Sequence, residues 1–161
     1  MTTKMPVPVR LRPVQVSDRP FLQRLYYSLR EEEFEQAQVT PADRLHFLEQ
    51  QFQAQQHHYF THYCTDHFYL VEIGAVPAGR LFVDYWRDQI RIVDIALLEP
   101  YRGKGIGGQL LNQVLSEGRA RHLPVTIHVE KYNPALALYQ RLGFEVIGVT
   151  NEVYYLMQWS P

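Results

Sequence analysis

The sequence of 161 residues has one cysteine, Cys64, and no long uninterrupted apolar run. A lone thiol excludes an internal disulfide and favours a reducing compartment. The N-terminal segment lacks the apolar stretch that precedes a signal-peptide cleavage site, and no stretch has the length of a membrane span. We therefore expect a cytoplasmic protein that does not bind a membrane.

The sequence also lacks an excess of charge of either sign. Lysine and arginine number 16 against 17 aspartates and glutamates, which gives a net charge of -1. Such a balance provides no broad basic field for nucleic acid. Linkers and low-complexity tracts are absent too, while 46% of the residues are hydrophobic. We expect a single folded domain over residues 1–161, which binds any anion through local contacts.

The first part of the sequence predicts one strand followed by two helices. Residues 9–14 alternate between apolar and polar side chains, as in a half-buried strand. Ser17 is a suitable N-cap for a first helix that we expect to end near Arg30, and Pro41 is a suitable first residue for a second helix. Leu45, Leu48 and Phe52 lie near one face of the second helix, as in an amphipathic helix.

The middle of the sequence predicts an antiparallel meander of three strands over residues 68–98. Apolar and β-branched residues dominate these segments. We expect the first turn at residues 76–79 and the second near residues 87–88, where small and polar residues interrupt the pattern.

The last part predicts a glycine turn, an amphipathic helix, and a strand over residues 125–130. A short helix from Asn133 to Arg141 should end at Gly143, and two closing strands follow. Because strand, turn, helix and strand form a βαβ unit, we expect the strands near residues 92 and 127 to be parallel.

The glycine turn lies in the segment IALLEPYRGKGIGGQLL. Gly103, Gly105 and Gly107 alternate there, so side chains do not block the approach of a ligand to the backbone. The helix that begins at this turn leaves backbone N–H groups unpaired, and Arg102 and Lys104 add positive charge. These features predict an anion site suited to a pyrophosphate.

This turn fits three known phosphate-binding motifs to different degrees. The triphosphate loop needs Gly-Lys followed by Ser or Thr, which the segment lacks. The dinucleotide pattern GxGxxG matches at Gly103, Gly105 and Gly108 and would indicate an oxidoreductase. However, it follows an antiparallel meander rather than opening a parallel sheet, which is the wrong context.

The third motif carries a family resemblance. Residues 102–107 fit Q/R-x-x-G-x-G/A, and the run from Asn133 through Tyr139 to Phe144 fits an N…LY…GF pattern. Over nearly its whole length the chain resembles the GCN5-related N-acetyltransferases (GNAT). The resemblance implies an α/β fold with a central six- to seven-stranded mixed sheet and about four helices. It also implies transfer of the acetyl group of acetyl-CoA to a primary amine by direct attack in a ternary complex, without a metal.

The resemblance further implies how acetyl-CoA is held. Backbone groups of one strand would pair with the pantetheine arm, and the N–H of Leu97 would donate to the thioester carbonyl. Backbone of the glycine turn would bind the pyrophosphate. The implied cofactor-binding residues are Ile95, Ala96, Leu97, Arg102, Gly103, Lys104, Gly105, Ile106, Gly107, Gly108, Asn133 and Tyr139.

Tyr139 is also the implied acid that protonates the leaving thiolate, since a phenol has a suitable pKa for this step. The amine needs a base, and the sequence leaves the choice open between Glu130 and Asp94. Asp84 and His128 are further polar residues on the predicted sheet.

The acceptor, either a small molecule or a peptide, is not identified by the sequence. In this family the first two helices determine specificity, and the expected substrate-binding residues are Glu33, His58, Tyr59, Tyr63, Asp84 and His128. The histidines near Cys64 match no zinc pattern. An acyl-CoA-binding regulatory module without efficient catalysis is an alternative function, and a homodimer is an open alternative to a monomer.

Overall fold

The computed structural model describes residues 8–36 and 40–161, with only the backbone given for residues 32–36. Within these residues seven strands and four α-helices follow one another in the predicted order. They are β1 (Val9–Pro13), α1 (Arg19–Gln36), α2 (Pro41–His62), β2 (Phe68–Ile73), β3 (Val76–Tyr85), β4 (Ile90–Leu97), α3 (Ile106–Arg121), β5 (Val125–Glu130), α4 (Leu136–Arg141), β6 (Glu145–Thr150) and β7 (Tyr154–Trp159). Short 3-10 helices cover Val16–Asp18 and Glu99–Tyr101.

The strands form one mixed sheet in the order β1-β2-β3-β4-β5-β7-β6. β4 and β5 are parallel, with Ile92 opposite Ile127, and all other neighbouring pairs are antiparallel. The predicted mixed-sheet fold and its parallel pair are confirmed. None of the described helices combines the length and the apolar character that crossing a membrane requires.

Each face of the sheet is covered by two helices. On one face α3 and α4 bury a core that includes Ile92, Leu110 and Ile127. On the other face α1 and α2 pack on β2 and β3, where the rings of Phe68 and Phe82 stack with centroids 4.2 Å apart. Most of the polar side chains described below lie against this second face, whereas Tyr139 lies on α4 against the first.

The predicted turn at residues 76–79 is wrong, because these residues belong to β3. The hairpin between β2 and β3 turns at Gly74 and Ala75, with φ of 54° and 67°. Two consecutive positive φ values suit a two-residue hairpin, whose twist then matches that of the strands. The second predicted turn is confirmed, since the N–H of Trp86 donates to the carbonyl of Gln89 at 2.9 Å.

The predicted beginning and end of the first helix are both wrong. Ser17 lies inside a 3-10 helix rather than capping α1. Asp18 accepts the N–H of Gln15 at 2.7 Å and pairs with Arg12 at 2.8 Å, so a carboxylate organises this turn. α1 continues to Gln36 because neither glycine nor proline follows Arg30 within it.

The second helix begins at Pro41 as predicted, with Thr40 as its N-cap. The last helix is shorter than predicted, since α4 begins at Leu136 and not at Asn133. The side chain of Asn133 instead accepts the N–H of Ala135 at 2.8 Å in the preceding turn. Gly143 ends the helical segment with φ of 103°, which confirms the expected glycine.

Gly79 allows β3 and β4 to approach closely. It pairs with Leu97, and a Cβ at this position would overlap the carbonyl oxygen of Ala96. We expect Gly79→Ala to lower the free energy of unfolding by about 3 kcal/mol, because backbone must move to admit the methyl group. Urea denaturation measures this loss. Gly148→Ala is the matched control, since its nearest neighbour would be Leu156 at 4.0 Å, and an equal effect of both variants would contradict the steric account.

Candidate active site

A gap opens between the two parallel strands of the sheet. β4 pairs with β5 only over Ile90–Ile92, opposite 125–127. Beyond this point β4 is held by β3 alone as far as Leu97, and β5 is held by β7 as far as Glu130. Ligands of α/β sheets bind at the carboxyl ends of such strands, so this gap is a candidate site.

A β-bulge marks the narrow end of the gap. Phe82 pairs with Asp94, whereas its neighbour Val83 pairs with Ile92, so Val93 is an extra residue in β4. A bulge bends its strand and increases the local twist. The bend explains why β4 leaves β5 at this residue.

The glycine turn lies at the wide end of the gap. Gly103 and Gly105 have φ of 70° and 80°, and a Cβ on either residue would meet no atom within 4 Å. Gly105 is the N-cap of α3, so the first N–H groups of this helix lack helical partners. Gly107 and Gly108 lie inside α3 and face Leu138 of α4. The backbone at the wide end is therefore open to an anion.

Arg102 connects the glycine turn to β4. Its Nε donates to the carbonyl of Leu97 at 2.9 Å. The side chain of Ile106 is buried in the core, so only its backbone remains for a ligand. Lys104 is exposed within the turn, where its charge can meet an anion.

A shallow depression of about 530 Å³ follows α3 from the turn toward solvent. It is lined by residues from the N-cap of α3 to its third turn, namely Gly105, Gly108, Gln109, Asn112, Gln113 and Ser116. It extends the anion site along α3 and away from the gap.

A buried ion pair lies on the α2 side of β4. Arg80 is 1% exposed, and its Nη2 donates to Asp94 at 2.6 Å and to Gln55 at 3.2 Å. Tyr59 of α2 donates its hydroxyl to the same oxygen of Asp94 at 3.1 Å. Burial and the Asp94 charge raise the pKa of Tyr59 far above its usual value, so its hydroxyl stays protonated. This arrangement fixes Asp94 and occupies its Oδ2.

A second arginine lies on the same face. Nη1 of Arg91 is 3.1 Å from Nδ1 of His128. Partial burial and, as the smaller cause, the charge of Arg91 lower the pKa of the imidazole. The ring is therefore neutral at pH 7. Because a guanidinium only donates, Nδ1 of His128 must accept, and the ring proton then resides on Nε2.

The other two carboxylates differ in their access to the gap. Asp84 is 7% exposed and accepts the backbone N–H of Cys64 at 3.3 Å. Glu130 ends β5, and its side chain is 41% exposed, with Arg30 of α1 at 3.9 Å. Glu130 thus retains the freedom to meet a ligand from the α1 side.

Tyr139 lies on α4, against the opposite face of the sheet. The residue is 4% exposed, and its ring packs edge-on against Phe144 with centroids 5.9 Å apart. Burial and the charge of Asp94 raise the pKa of Tyr139 to about 12. The phenol is therefore fully protonated at pH 7 and can act as a proton donor.

The structure brings together only part of the predicted substrate set. Tyr59 contacts Asp94, and Tyr63 packs edge-on against Tyr59 at 6.2 Å. The exposed ring of His58 joins these two, with its centroid 6.0 Å from those of Tyr59 and Tyr63. The side chain of Glu33 lies outside the described residues.

Sequence reasoning missed Arg80 and Arg91, which contact the predicted residues Asp94 and His128. The available signal was an arginine within an otherwise apolar strand, in GRLFVDY and in IRIVDIAL. A charge in such a strand must find a partner, so each arginine indicated a polar site on the sheet. In the part of the chain that is described, no group of three or more His, Cys, Asp and Glu residues is placed to hold a metal ion.

Comparisons with known proteins agree with this geometry. Residues 22–144 match the acetyltransferase (GNAT) family. The chain is 35% identical over 89 residues to N-alpha-acetyltransferase 50 of Danio rerio, which covers 52% of this chain and 51% of that protein. It is also 35% identical over 92 residues to streptothricin acetyltransferase of Streptomyces lavendulae, covering 52% of this chain and 48% of that protein. The chain spans about half the length of these curated relatives.

Among solved structures, the PaiA N-acetyltransferase from Thermoplasma acidophilum, in complex with coenzyme A, has a TM-score of 0.71. It is 12% identical, and the match covers 96% of this chain and 99% of that chain. At this identity the likeness shows the fold. Together with the match over residues 22–144, it establishes that the chain belongs to the acetyltransferase (GNAT) family.

Proposed function

We propose that this protein transfers the acetyl group of acetyl-CoA to a primary amine by direct attack in a ternary complex. The observation that carries the proposal is the gap between β4 and β5, which leads from an open glycine turn to a cluster of polar side chains. An anion site and a reaction site thus lie at two ends of one cleft.

The residues of the gap fit an acyl-CoA. The unpaired edge of Ile95–Leu97 would pair with the amides of the pantetheine arm, and the N–H of Leu97 would donate to the thioester carbonyl. The backbone of residues 102–108 would bind the pyrophosphate, and Asn133 would contact the arm. When bound, acetyl-CoA supplies an activated acyl group.

Glu130 is the base that the contacts support best. Asp94 already accepts hydrogen bonds from Arg80 and Tyr59. Asp84 is buried. The unprotonated nitrogen of the neutral His128 ring, Nδ1, already accepts a hydrogen bond from Arg91. Glu130 is exposed at the end of β5, where it can accept a proton from the amine directly or through water.

Tyr139 supplies the acid. As the amine nitrogen bonds to the acyl carbon, the C–S bond breaks and the thiolate takes a proton from the phenol. The amine loses its own proton to Glu130, so each proton has a named source and destination. Because its pKa is raised to about 12, the phenol of Tyr139 is protonated at pH 7.

We expect Tyr139→Phe to lower kcat about tenfold or more and to leave the affinity for CoA unchanged, because only the acid is lost. Thiol release measures kcat, and calorimetry measures affinity. In the wild type, ionisation of Tyr139 should cause no loss of kcat between pH 7 and 10. Full activity of Tyr139→Phe would remove this residue from the mechanism.

The acceptor is either the amino terminus of a peptide or a small-molecule amine. The names of the two curated relatives support both classes. The apolar side chains of Val146, Ile147 and Val149 are exposed on edge strand β6, which supports a homodimer. The homodimer stays a prediction, as does a location in the cytoplasm.

The test adds acetyl-CoA and a panel of amines and follows both CoA binding and thiol release. Amine-dependent release supports the transferase. Binding without release would favour a regulatory module that holds acyl-CoA. Binding of NAD(H) in place of CoA would favour an oxidoreductase, although a single parallel strand pair does not form the doubly wound sheet that such an enzyme uses.

A further inference from the structure

We infer that Arg91 and His128 form a binding position for an acidic group, a carboxylate or a phosphate, that the acceptor carries in addition to its amine. The inference deepens the proposed function and rests on it for the identity of the ligand as the acceptor. It predicts that a polyamine, which has no acidic group, is a poor acceptor.

Arg91 is a buried cation without an acidic partner. The residue is 8% exposed, yet no carboxylate of the described residues lies within 4.0 Å of its guanidinium. Asp84 pairs with Arg91 across the β3–β4 ladder, but its carboxylate accepts the N–H of Cys64 instead. By contrast, Arg80 and Arg30 each have a carboxylate within this distance. A desolvated charge without a counter-ion is costly, and an anionic ligand would compensate it.

The guanidinium is held in place by neutral groups. Its Nε donates to the hydroxyl of Thr126 at 2.9 Å, and that hydroxyl donates to Gln89 at 2.6 Å. The ring of Trp86 lies 4.7 Å from the guanidinium carbon. These contacts fix the orientation of Arg91 before a ligand arrives, which lowers the entropic cost of binding.

His128 adds a second donor beside Arg91. Its Nδ1 accepts from Arg91, so its Nε2–H is the donor of an exposed ring. A guanidinium and an imidazole N–H together match the several oxygens of an acidic group. Carboxylates also face this region, namely Asp84, Asp94 and Glu130. Asp84 and Asp94 accept hydrogen bonds, whereas the exposed carboxylate of Glu130 lies 3.9 Å from Arg30, beyond hydrogen-bond distance, and can meet the amine.

The position of the pair suits an acceptor rather than CoA. Arg91 and His128 each adjoin the last paired residues, Ile92 and Ile127, at the narrow end of the gap. The glycine turn that would hold the pyrophosphate lies at the wide end. An acceptor anchored at Arg91 would therefore lie at the end of the gap opposite to the pyrophosphate.

Matched acceptors test the inference in the wild-type protein. Glycylglycine is compared with glycylglycinamide, and phosphoethanolamine with ethanolamine, by thiol release with acetyl-CoA. We expect kcat/KM to be about tenfold or more higher for the acidic member of at least one pair. The pair in which the acidic member is preferred shows whether the position binds a carboxylate or a phosphate. Equal use of acidic and neutral members in both pairs overturns the inference.

Arg91→Met should remove the preference while activity on the neutral member persists. Arg87→Met is the control, because Arg87 is exposed on the turn before β4, and it should keep the preference. A preference that survives in Arg91→Met would count against the role of Arg91. If this variant does not fold, the wild-type comparison still decides.

A binding measurement separates this inference from the proposed function. If no amine is acetylated, the proposed function fails, and ring signals of His128 in the NMR spectrum decide the remaining question. N-acetylglycine or inorganic phosphate should shift these signals in the wild type and in Arg87→Met, but not in Arg91→Met. N-acetylglycinamide should leave them unmoved. Identical spectra with and without both anions overturn the inference.

Discussion

Gly105→Glu is expected to weaken CoA binding by about a hundredfold or more. Gly105 caps α3 at the glycine turn, and a side chain there extends into open space where the pyrophosphate is proposed to bind. A carboxylate at this position replaces an attractive helix end with like-charge repulsion. Isothermal calorimetry with CoA measures the change in affinity.

Backbone strain must be separated from charge in this experiment. Gly105 has φ of 80°, so any side chain adds strain of about 1–2 kcal/mol. Gly105→Asn imposes a similar backbone requirement without a charge, and asparagine tolerates positive φ. We expect this control to bind CoA far better than Gly105→Glu does, with similar thermal unfolding of both variants. Equal affinities of the two variants would show that charge is irrelevant at this turn.

Glu130→Gln is expected to lower kcat by about a hundredfold and to leave CoA affinity unchanged. The amide keeps the shape of the side chain but cannot accept the proton of the amine. Thiol release at saturating acetyl-CoA, over a range of pH, is the measurement. An amine supplied at high pH is already deprotonated, so the deficit should shrink as pH rises.

Asp94→Asn tests the other carboxylate that the sequence offers as the base. Because Asp94 is paired with Arg80, the substitution leaves a buried guanidinium without its counter-ion and should destabilise the fold. We expect a clear drop in melting temperature for Asp94→Asn and none for Glu130→Gln, whose side chain is exposed. A normal kcat for Glu130→Gln would transfer the role of base to another group.

The order of elements could be predicted from the sequence because each element has a local signal. Periodicity located the strands and helices, and the glycine turn with its following helix predicted the parallel pair, which Ile92 and Ile127 confirm. Boundaries failed where a local rule competed with another interaction. Ser17 is a good N-cap in isolation, yet Asp18 organises that turn through its ion pair with Arg12.

The site was only partly predictable, since its contacts join residues that are distant in sequence. Tyr59 and Asp94 are 35 residues apart, and Arg91 and His128 are 37 apart. The sequence named three of these four side chains but could not pair them. Arg80 was missed because the segment around it is mostly hydrophobic. The buried guanidinium of Arg80 nevertheless fixes the orientation of Asp94.

The central claim is that acetyl-CoA binds along β4 in the gap and over the glycine turn. The most direct measurement is the change in backbone amide NMR signals when acetyl-CoA is added to the wild-type protein. We predict the largest changes at residues 95–97 and 103–108, with Gly148 on edge strand β6 unaffected. Binding that perturbs other amides and leaves these two segments unchanged would contradict the account.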